Sequence, residues 1–149
     1  MKKQLTILVL SLVFSSATFA QTADETQIKK VIEGEKAAND AHDYEKYQSY
    51  WAKTPNTSFL YNGMFLFVGD ELWKQSDAHW KTAKSIKCNN TRTDWNIRVK
   101  GEAAFVTFSQ SVENLEKNTT SETYEERYLE KIEGDWKILN VTAVAKAKK

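Results

Sequence analysis

Two stretches of helical spacing lie between residues 23 and 51. Thr22 and Glu25 have the spacing of a capping box, and the apolar positions after them recur every three or four residues, at Ile28, Val31, Ile32 and Ala38. This pattern predicts a first helix from about Ala23 to Ala41. Asp43 is placed to cap a second helix, which ends at Thr54-Pro55-Asn56 and carries an aromatic stripe of Tyr44, Tyr47, Tyr50 and Trp51.

A short hairpin and a third helix follow. Phe59 to Tyr61 and Met64 to Val68 are β-prone runs, and the pair between them, Asn62-Gly63, is the one most favoured where a tight hairpin needs positive φ. Gly69-Asp70 then opens a helix with one stripe of Leu72, Trp73, Ser76, His79, Trp80 and Ala83. We expect this helix to lie face down on a sheet.

From about Ser85 onward the spacing changes from helical to alternating, which is typical of strands with one buried face. Gly101, the polar stretch 116–121 and Glu133-Gly134-Asp135 supply the turns. The alternating positions are Trp95, Ile97 and Val99, then Ala104, Val106, Phe108 and Gln110, then the run Tyr124 to Ile132, then Trp136 and Ile138. The sequence therefore predicts an α+β fold in the order helix, helix, short hairpin, helix and an antiparallel meander of four long strands.

The first twenty residues have the pattern of a secretory signal peptide. Lys2 and Lys3 precede an apolar run from Leu5 to Phe14, and Thr18-Phe19-Ala20 places small residues at the two positions that a signal peptidase reads. The run is too short for a membrane span, which needs about twenty apolar residues. We expect cleavage after Ala20, a single domain over residues 21–149, and a periplasmic or secreted protein with no membrane partner.

Charge and cysteine content narrow the partners further. Without Lys2 and Lys3, 19 basic residues stand against 20 acidic ones, so the net charge is about −1. A nearly neutral, mixed surface gives no electrostatic reason to bind nucleic acid. Cys88 is the single cysteine, so no intramolecular disulfide can form, and we expect it to be a small structural residue.

The closing hairpin, Glu126 to Ile138, reads ERYLEKIEGDWKI. Together with 99–106 (VKGEAAFV), Asp40, the region Tyr47 to Trp51 and the order of elements, it resembles the nuclear transport factor 2-like superfamily. Relatives in that superfamily include the SnoaL-like polyketide cyclases and the ketosteroid isomerases. The resemblance implies a cone, in which a curved antiparallel sheet wraps around the N-terminal helices and leaves a cavity at its wide end. It also implies an outer sheet face suited to a homodimer.

Members of that superfamily use the cavity for catalysis, for ligand binding or as packed core, so the fold alone assigns no activity. The local motifs that carry the catalytic tyrosine and carboxylates of the known enzymes are not found in this sequence. Candidate residues must therefore come from their own positions in the predicted elements.

Two residues are candidates for acid–base catalysis. His79 shares the stripe of Trp73 and Trp80, and an imidazole titrates near neutral pH; the alternative is a half-exposed histidine at the edge of that face. Asp40 lies near the end of the first helix, where a carboxylate opposes the helix dipole. If Asp40 points into the cone, it is a base or a partner of Arg127, and otherwise it is a cap for the interhelical turn.

Arg127 and several aromatic residues are candidates for ligand contacts. Arg127 lies in mid-strand, where a guanidinium either reaches solvent or needs a carboxylate partner, and an inward Arg127 would suit an anionic ligand. Alternation places it with Leu129 on one face, opposite Tyr124, Glu126 and Tyr128, and leaves open which face is concave. The aromatic candidates, with core packing as their alternative role, are Trp51, Tyr61, Trp73, Trp80 and Trp95.

Metal ions and cofactors are not expected. His42 and His79 are far apart, neither has a carboxylate at ligand spacing on its helix, and no phosphate-binding glycine loop occurs. The first hypothesis is an exported pocket protein that binds a small apolar or weakly anionic molecule. One alternative is a cofactor-free isomerase, cyclase or dehydratase, with His79 or Asp40 as the base and Tyr61 or Arg127 steadying an oxyanion. Another is a homodimeric interaction module whose cone is solid core.

The cavity separates these hypotheses. A cavity lined by His79, Tyr61 and Arg127 favours catalysis, an apolar cavity favours binding, and a filled cone favours the interaction module.

Overall fold

A computed structural model describes residues 23–62 and 65–147, and the predicted signal peptide lies outside them. The predicted order of elements is confirmed. Helix α1 covers residues 23–41, and Asp43 caps α2 by accepting a hydrogen bond of 3.1 Å from the Lys46 amide. The remaining elements are α2 (Tyr44–Ser49), β1 (Ser58–Tyr61), β2 (Phe65–Val68), α3 (Gly69–Thr82), β3 (Cys88–Lys100), β4 (Ala103–Asn114), β5 (Thr119–Ile132) and β6 (Asp135–Ala145).

All six strands form one sheet in the order β2-β1-β6-β5-β4-β3. The four long strands pair antiparallel, as the alternating pattern predicts. The short hairpin extends the same sheet, because β1 pairs with β6 in parallel from Ser58 opposite Asn140 to Tyr61 opposite Ala143. The sheet is therefore mixed rather than purely antiparallel, since a pairing between elements so distant in the chain leaves no local signal.

Two irregularities in the strand register bend the sheet. One lies in β3 between Thr93 and Asn96, where Asp94 has a φ of 57°. The other lies between β5 and β6, where Leu139 is an extra residue opposite Tyr128 and Leu129. Such bulges increase the local twist and bend of a strand. The second bulge also shifts the alternation of β6, so that the buried positions are Trp136 and Ile138 before it and Val141 and Ala143 after it.

Helix α1 lies against the inner face of the bent sheet. Ile28 and Ile32 are fully buried in one cluster with Leu129 and Ile138. At the start of α1, Asp24 accepts hydrogen bonds from Lys131 Nζ (2.6 Å) and Trp136 Nε1 (3.0 Å). Burial of each isoleucine side chain contributes about 1.5–3 kcal/mol, so this end of the cone is a packed core.

Among the described residues, no helix is both long and apolar enough to cross a membrane.

Gly69 sets the position of α3. Its φ is +52°, and a Cβ on it would lie 3.0 Å from the Pro55 carbonyl oxygen. Its amide donates a hydrogen bond of 2.7 Å to the Thr57 carbonyl. The close backbone approach and the left-handed conformation both require glycine here, and they hold the first turn of α3 against the loop before β1.

Candidate functional site

The cone is open at the end where α1 finishes. A cavity of about 560 Å³ lies between the second half of α1, α3 and the short hairpin of β1 and β2. The last part of β4 and the first part of β5 complete its wall. This volume falls in the range of small-molecule pockets, roughly 300–1,000 Å³. Its mouth carries the exposed residues Gln75, His79 and Ser121, and its apolar walls are Phe59, Phe67, Leu72, Trp80, Val112 and Ala143.

Five buried polar residues line the deep side of the cavity. We call them the polar cluster: Glu35 on α1, Gln110 on β4, and Thr123, Glu125 and Arg127 on β5. Alternate positions of β5 share its inner face, and Gln110 lies beside Thr123 in the strand register. None of the five is more than 9% exposed. The inner face of the sheet is therefore apolar beneath the first half of α1 and charged beneath the second.

Glu125 is the fully bonded carboxylate of the polar cluster. It accepts hydrogen bonds from Gln110 Nε2 (2.6 Å), Thr123 Oγ1 (3.1 Å) and Arg127 Nη2 (2.6 Å). Burial pulls down the pKa of the Arg127 guanidinium, but the neighbouring Glu125 and Glu35 carboxylates raise that pKa by more. Arg127 is therefore held in its charged form.

Glu35 is the carboxylate of the polar cluster that lacks hydrogen bonds. Its nearest charged partner is Arg127, with 3.9 Å between Oε2 and Nη1, which is too long for a hydrogen bond. No described residue donates a hydrogen bond to it. Burial raises the pKa of the Glu35 carboxyl, and the opposing effect of the Arg127 charge is smaller. Two carboxylates in one cluster thus have opposite environments, an arrangement often found at functional sites.

Unpaired donors outnumber unpaired acceptors around the polar cluster. Within the described residues, the buried nitrogens Nε and Nη1 of Arg127 and Nε and Nη2 of Arg92 have no hydrogen-bond partner, and neither does Gln110 Oε1. Arg92 does not line the cavity, but its guanidinium carbon lies 5.7 Å from the centre of the Phe108 ring. The guanidinium carbon of Arg127 lies 5.9 Å from the centre of the same ring. Four cationic nitrogens therefore stand against one amide oxygen in this region.

Trp80 forms a wall between this cavity and a second, smaller one. The second cavity, of about 270 Å³, is lined by His42, Tyr44, Asp77, Trp80 and Lys81. The Trp80 ring stacks on His42 at 4.7 Å and on Tyr44 at 4.9 Å. The Tyr44 hydroxyl donates a hydrogen bond to Asp77, and burial together with this bond raises the pKa of Tyr44 to about 12.

Four of the candidate residues from the sequence line the main cavity: His79, Tyr61, Trp80 and Arg127. His79 is exposed at the mouth, Tyr61 is half-buried, and Arg127 is 5% exposed at the deep side. The open question about the strand face is answered, since Arg127 and Leu129 face inward and Tyr124 is 60% exposed on the outer face.

Asp40 does not lie in the cavity wall. It forms an ion pair with Lys36 and accepts a hydrogen bond of 2.6 Å from Asn90 Nδ2. The interpretation of Asp40 as the partner of Arg127 is therefore wrong, because Glu125 and Glu35 fill that role. The inner stripe of α1 runs through Ile28, Ile32 and Glu35, and Asp40 falls beside this stripe.

Three of the candidate tryptophans are absent from the cavity lining. Trp51 is 4% exposed and meets Trp73 edge-on at 6.1 Å, while Trp95 packs on Phe108 at 4.6 Å. These contacts favour the packing role that was their alternative. The aromatic side chains that do line the cavity are Tyr47, Phe59, Tyr61, Phe67 and Trp80.

Glu35, Glu125 and Thr123 are site residues that the sequence interpretation missed. Glu35 continues the spacing of Ile28 and Ile32 by one helical turn, and Glu125 lies two positions before Arg127, on the same strand face. A carboxylate on the apolar stripe of a helix is the signal that was available.

Within residues 23–62 and 65–147, no group of three or more His, Cys, Asp and Glu side chains is arranged to hold a metal ion.

The raised pKa of Glu35 should make the free energy of unfolding depend on pH. Because its pKa in the folded protein is raised above 4.5, the folded state binds this proton more tightly than the unfolded state. The contribution of protonated Glu35 to the free energy of unfolding is complete below pH 4.5 and is lost as pH rises through the raised pKa. Glu35→Gln removes the dependence, so chemical denaturation should show the variant gaining stability relative to the parent as pH rises from 4.5 through the raised pKa, by about 1.4 kcal/mol per unit of pKa separation.

Glu33→Gln is the matched control, because Glu33 is exposed on the same helix. It should track the parent at every pH. Equal pH dependence in all three proteins would show that Glu35 is solvated.

Comparisons with known proteins support the fold. No protein-family model matches the sequence, and no curated protein does. A nuclear transport factor 2-like protein with a cystatin-like fold from Novosphingobium aromaticivorans is similar, with a TM-score of 0.71 and 12% identity over 90% of this chain and 89% of that one. A candidate dehydratase of the same type from Streptomyces avermitilis has a TM-score of 0.71 and 16% identity over 85% and 99%.

The association domain of CaMKII from C. elegans is also similar, with a TM-score of 0.71 and 18% identity over 83% of this chain and 97% of that domain. Identities this low show the fold alone. The chain has the nuclear transport factor 2-like fold, a cystatin-like α+β architecture, so the fold expected from the resemblance is confirmed.

Proposed function

We propose that the protein binds a small, largely apolar molecule in the main cavity, with the polar end of that molecule at the polar cluster. The observation that carries the proposal is the buried Glu35 carboxylate, which faces a cavity of about 560 Å³ and has no hydrogen bond from the described residues. A buried carboxylate without a hydrogen-bond donor costs stability, and a ligand that donates a hydrogen bond to Glu35 offsets that cost.

The walls fit the apolar part of such a ligand. Phe59, Phe67, Leu72 and Trp80 face the cavity from the short hairpin and α3, opposite the polar cluster. Burial of apolar ligand surface against them contributes about 25 cal/mol for each Å² removed from water. The polar cluster then orients the molecule, since its charges all lie on one side.

The interaction module with a solid core is not supported, because the wide end of the cone is unfilled. A homodimer through the outer sheet face is compatible with a pocket protein and stays part of the proposal. That face exposes Phe105, Tyr124 and Val144, and the same fold serves as the association domain of CaMKII. Export after cleavage behind Ala20 is also part of the proposal and is supported by the pattern of residues 2–20.

A cofactor-free acid–base enzyme is the second candidate. It is favoured by the presence of His79, Tyr61 and Arg127 in one cavity and by the raised pKa of Glu35. Glu35 replaces His79 and Asp40 as the group best placed to take a proton, because it is buried and free of hydrogen bonds. Arg127 is already paired with Glu125, which limits its part in steadying an oxyanion.

A thermal-shift screen tests the binding proposal. The compounds are small hydrophobic carboxylic acids, amides, alcohols and steroids. A ligand at 100 times its Kd stabilises the folded state by about 2.7 kcal/mol, so we expect at least one compound to raise Tm by several degrees. Ala143→Phe fills the cavity and should abolish the shift, whereas Val144→Phe, its neighbour on the outer face, should preserve it.

Absence of any shift, or a shift that persists in Ala143→Phe, would contradict binding in this cavity. The fate of the compound separates the two candidate functions. A binding protein returns it unchanged after long incubation, and an enzyme returns a product whose formation depends on Glu35.

A further inference from the structure

The polar-cluster atoms that lack hydrogen-bond partners restrict which functional group a ligand can place against them. Arg127 lines the cavity and has no hydrogen-bond partner at its buried Nε and Nη1. The Glu35 carboxylate lies 3.9 Å from Nη1, with no hydrogen bond from the described residues. A single ligand group that contacts both residues must accept a hydrogen bond from the guanidinium. It must also share a proton with the carboxylate.

Charge separates the groups that meet this condition. A carboxamide or a hydroxyl can bridge the two residues while Glu35 stays ionised and buried. A carboxylate can bridge them only if one proton lies between the two acids. With Glu35 neutral, Arg127 and Glu125 balance each other in the lining, and Lys36 is paired with Asp40. Arg92, outside the lining but over the Phe108 ring, then gives this region one net positive charge, which suits a monoanion.

We infer that the cavity binds small apolar monocarboxylates, and that Glu35 takes up one proton when such a ligand binds. This inference rests on the proposed function and specifies its ligand class. The proton comes from solvent and is shared between the Glu35 and ligand oxygens in one O–H···O⁻ hydrogen bond. The remaining single negative charge faces Arg127. Charge therefore balances without any other reactant.

Other titratable and charged groups also face Glu35 or share the cavity with it. They are Lys36 on α1, Tyr47 on α2, Tyr61 on β1, His79 on α3, Arg92 on β3, and Glu125 and Arg127 on β5. His79 is the histidine among them, so it must be tested as an alternative source of a pH effect on binding. The test must therefore assign the proton.

Calorimetric titration of the full-length protein with 4-phenylbutanoate and its matched amide, 4-phenylbutanamide, provides the test. Titrations run between about pH 5.5 and pH 8.5, in buffers with different ionisation enthalpies, so that the bound proton is counted directly. We expect the acid to bind with uptake of up to one proton, and its Kd to rise up to tenfold per pH unit above the Glu35 pKa. The amide should bind at least tenfold more weakly at low pH, with no such dependence.

Variants assign the proton. Glu35→Gln mimics the protonated side chain, so it should keep most of the affinity for the acid and lose both the proton uptake and the pH dependence. Glu33→Gln, exposed on the same helix, should behave as the parent does. Loss of the dependence in His79→Gln would assign the proton to His79 and overturn the inference.

Two further outcomes are decisive. If the amide binds as tightly as the acid, or if the pH dependence survives in Glu35→Gln, the ligand class is wrong while the pocket function stands. If neither probe binds, the inference is overturned, and the thermal-shift screen then decides separately whether the pocket function falls with it.

Discussion

Replacing Arg127 with methionine is expected to lower the free energy of unfolding by about 3–5 kcal/mol. The Arg127 side chain is 6% exposed and faces Glu125 and Glu35, whose side chains are 4% and 8% exposed. Without the guanidinium, the two buried carboxylates lose the cation nearest to both of them. Urea denaturation at neutral pH measures the loss.

Two further variants show whether the loss has this cause. Arg98→Met is the control, because Arg98 is exposed on β3, and it should change stability by no more than about 0.5 kcal/mol. Adding Glu35→Gln and Glu125→Gln to Arg127→Met removes the uncompensated charges and should restore much of the stability. A loss below about 1 kcal/mol in Arg127→Met alone would mean that water reaches the carboxylates.

Trp80→Ala is expected to cost about 3–5 kcal/mol of unfolding free energy. The Trp80 side chain is buried, stacks on His42 and Tyr44, and separates the two cavities. Its removal joins the cavities of about 560 and 270 Å³ and removes the stacking contacts that His42 and Tyr44 make with it. Thermal or chemical denaturation measures the cost, and Trp80→Phe should fall between the two proteins.

Phe105→Ala is the control for Trp80, because Phe105 is 43% exposed on the outer sheet face. It should cost less than about 1 kcal/mol. Equal losses at the two positions would show that Trp80 contributes surface area only. The joined cavity should also weaken binding of any ligand found in the screen, because the ligand loses one wall.

Local patterns predicted the elements well because each has a local cause. The bounds of α1 follow from its apolar spacing, and the start of α2 follows from the side chain of Asp43, which caps the helix as expected. The alternation from β3 to β6 predicted the long antiparallel strands. The parallel pairing of β1 with β6 has no such cause, because it joins residues about eighty positions apart.

The site was predicted less completely, for a related reason. His79, Tyr61 and Arg127 were placed on inward stripes and do line the cavity. Trp51 and Trp95 were equally good candidates by composition, and only the three-dimensional packing shows that other rings cover them. Glu35 was missed because a single charged residue on an amphipathic helix is ordinary. Its meaning appears only when β5 brings Arg127 opposite it.

The placement of α1 inside the bent sheet has a consequence for how the protein is made. Glu35 is synthesised long before Glu125 and Arg127. Ile28 and Ile32 stay in contact with water until Leu129 and Ile138 have been synthesised and pack against them. A nascent chain that has not yet released its last two strands from the ribosome therefore exposes the apolar stripe of α1. It has no pocket at all. The apolar stripe of α1 is therefore accessible to any chaperone that binds such stripes until the final strands arrive, and a ligand can bind only the finished domain.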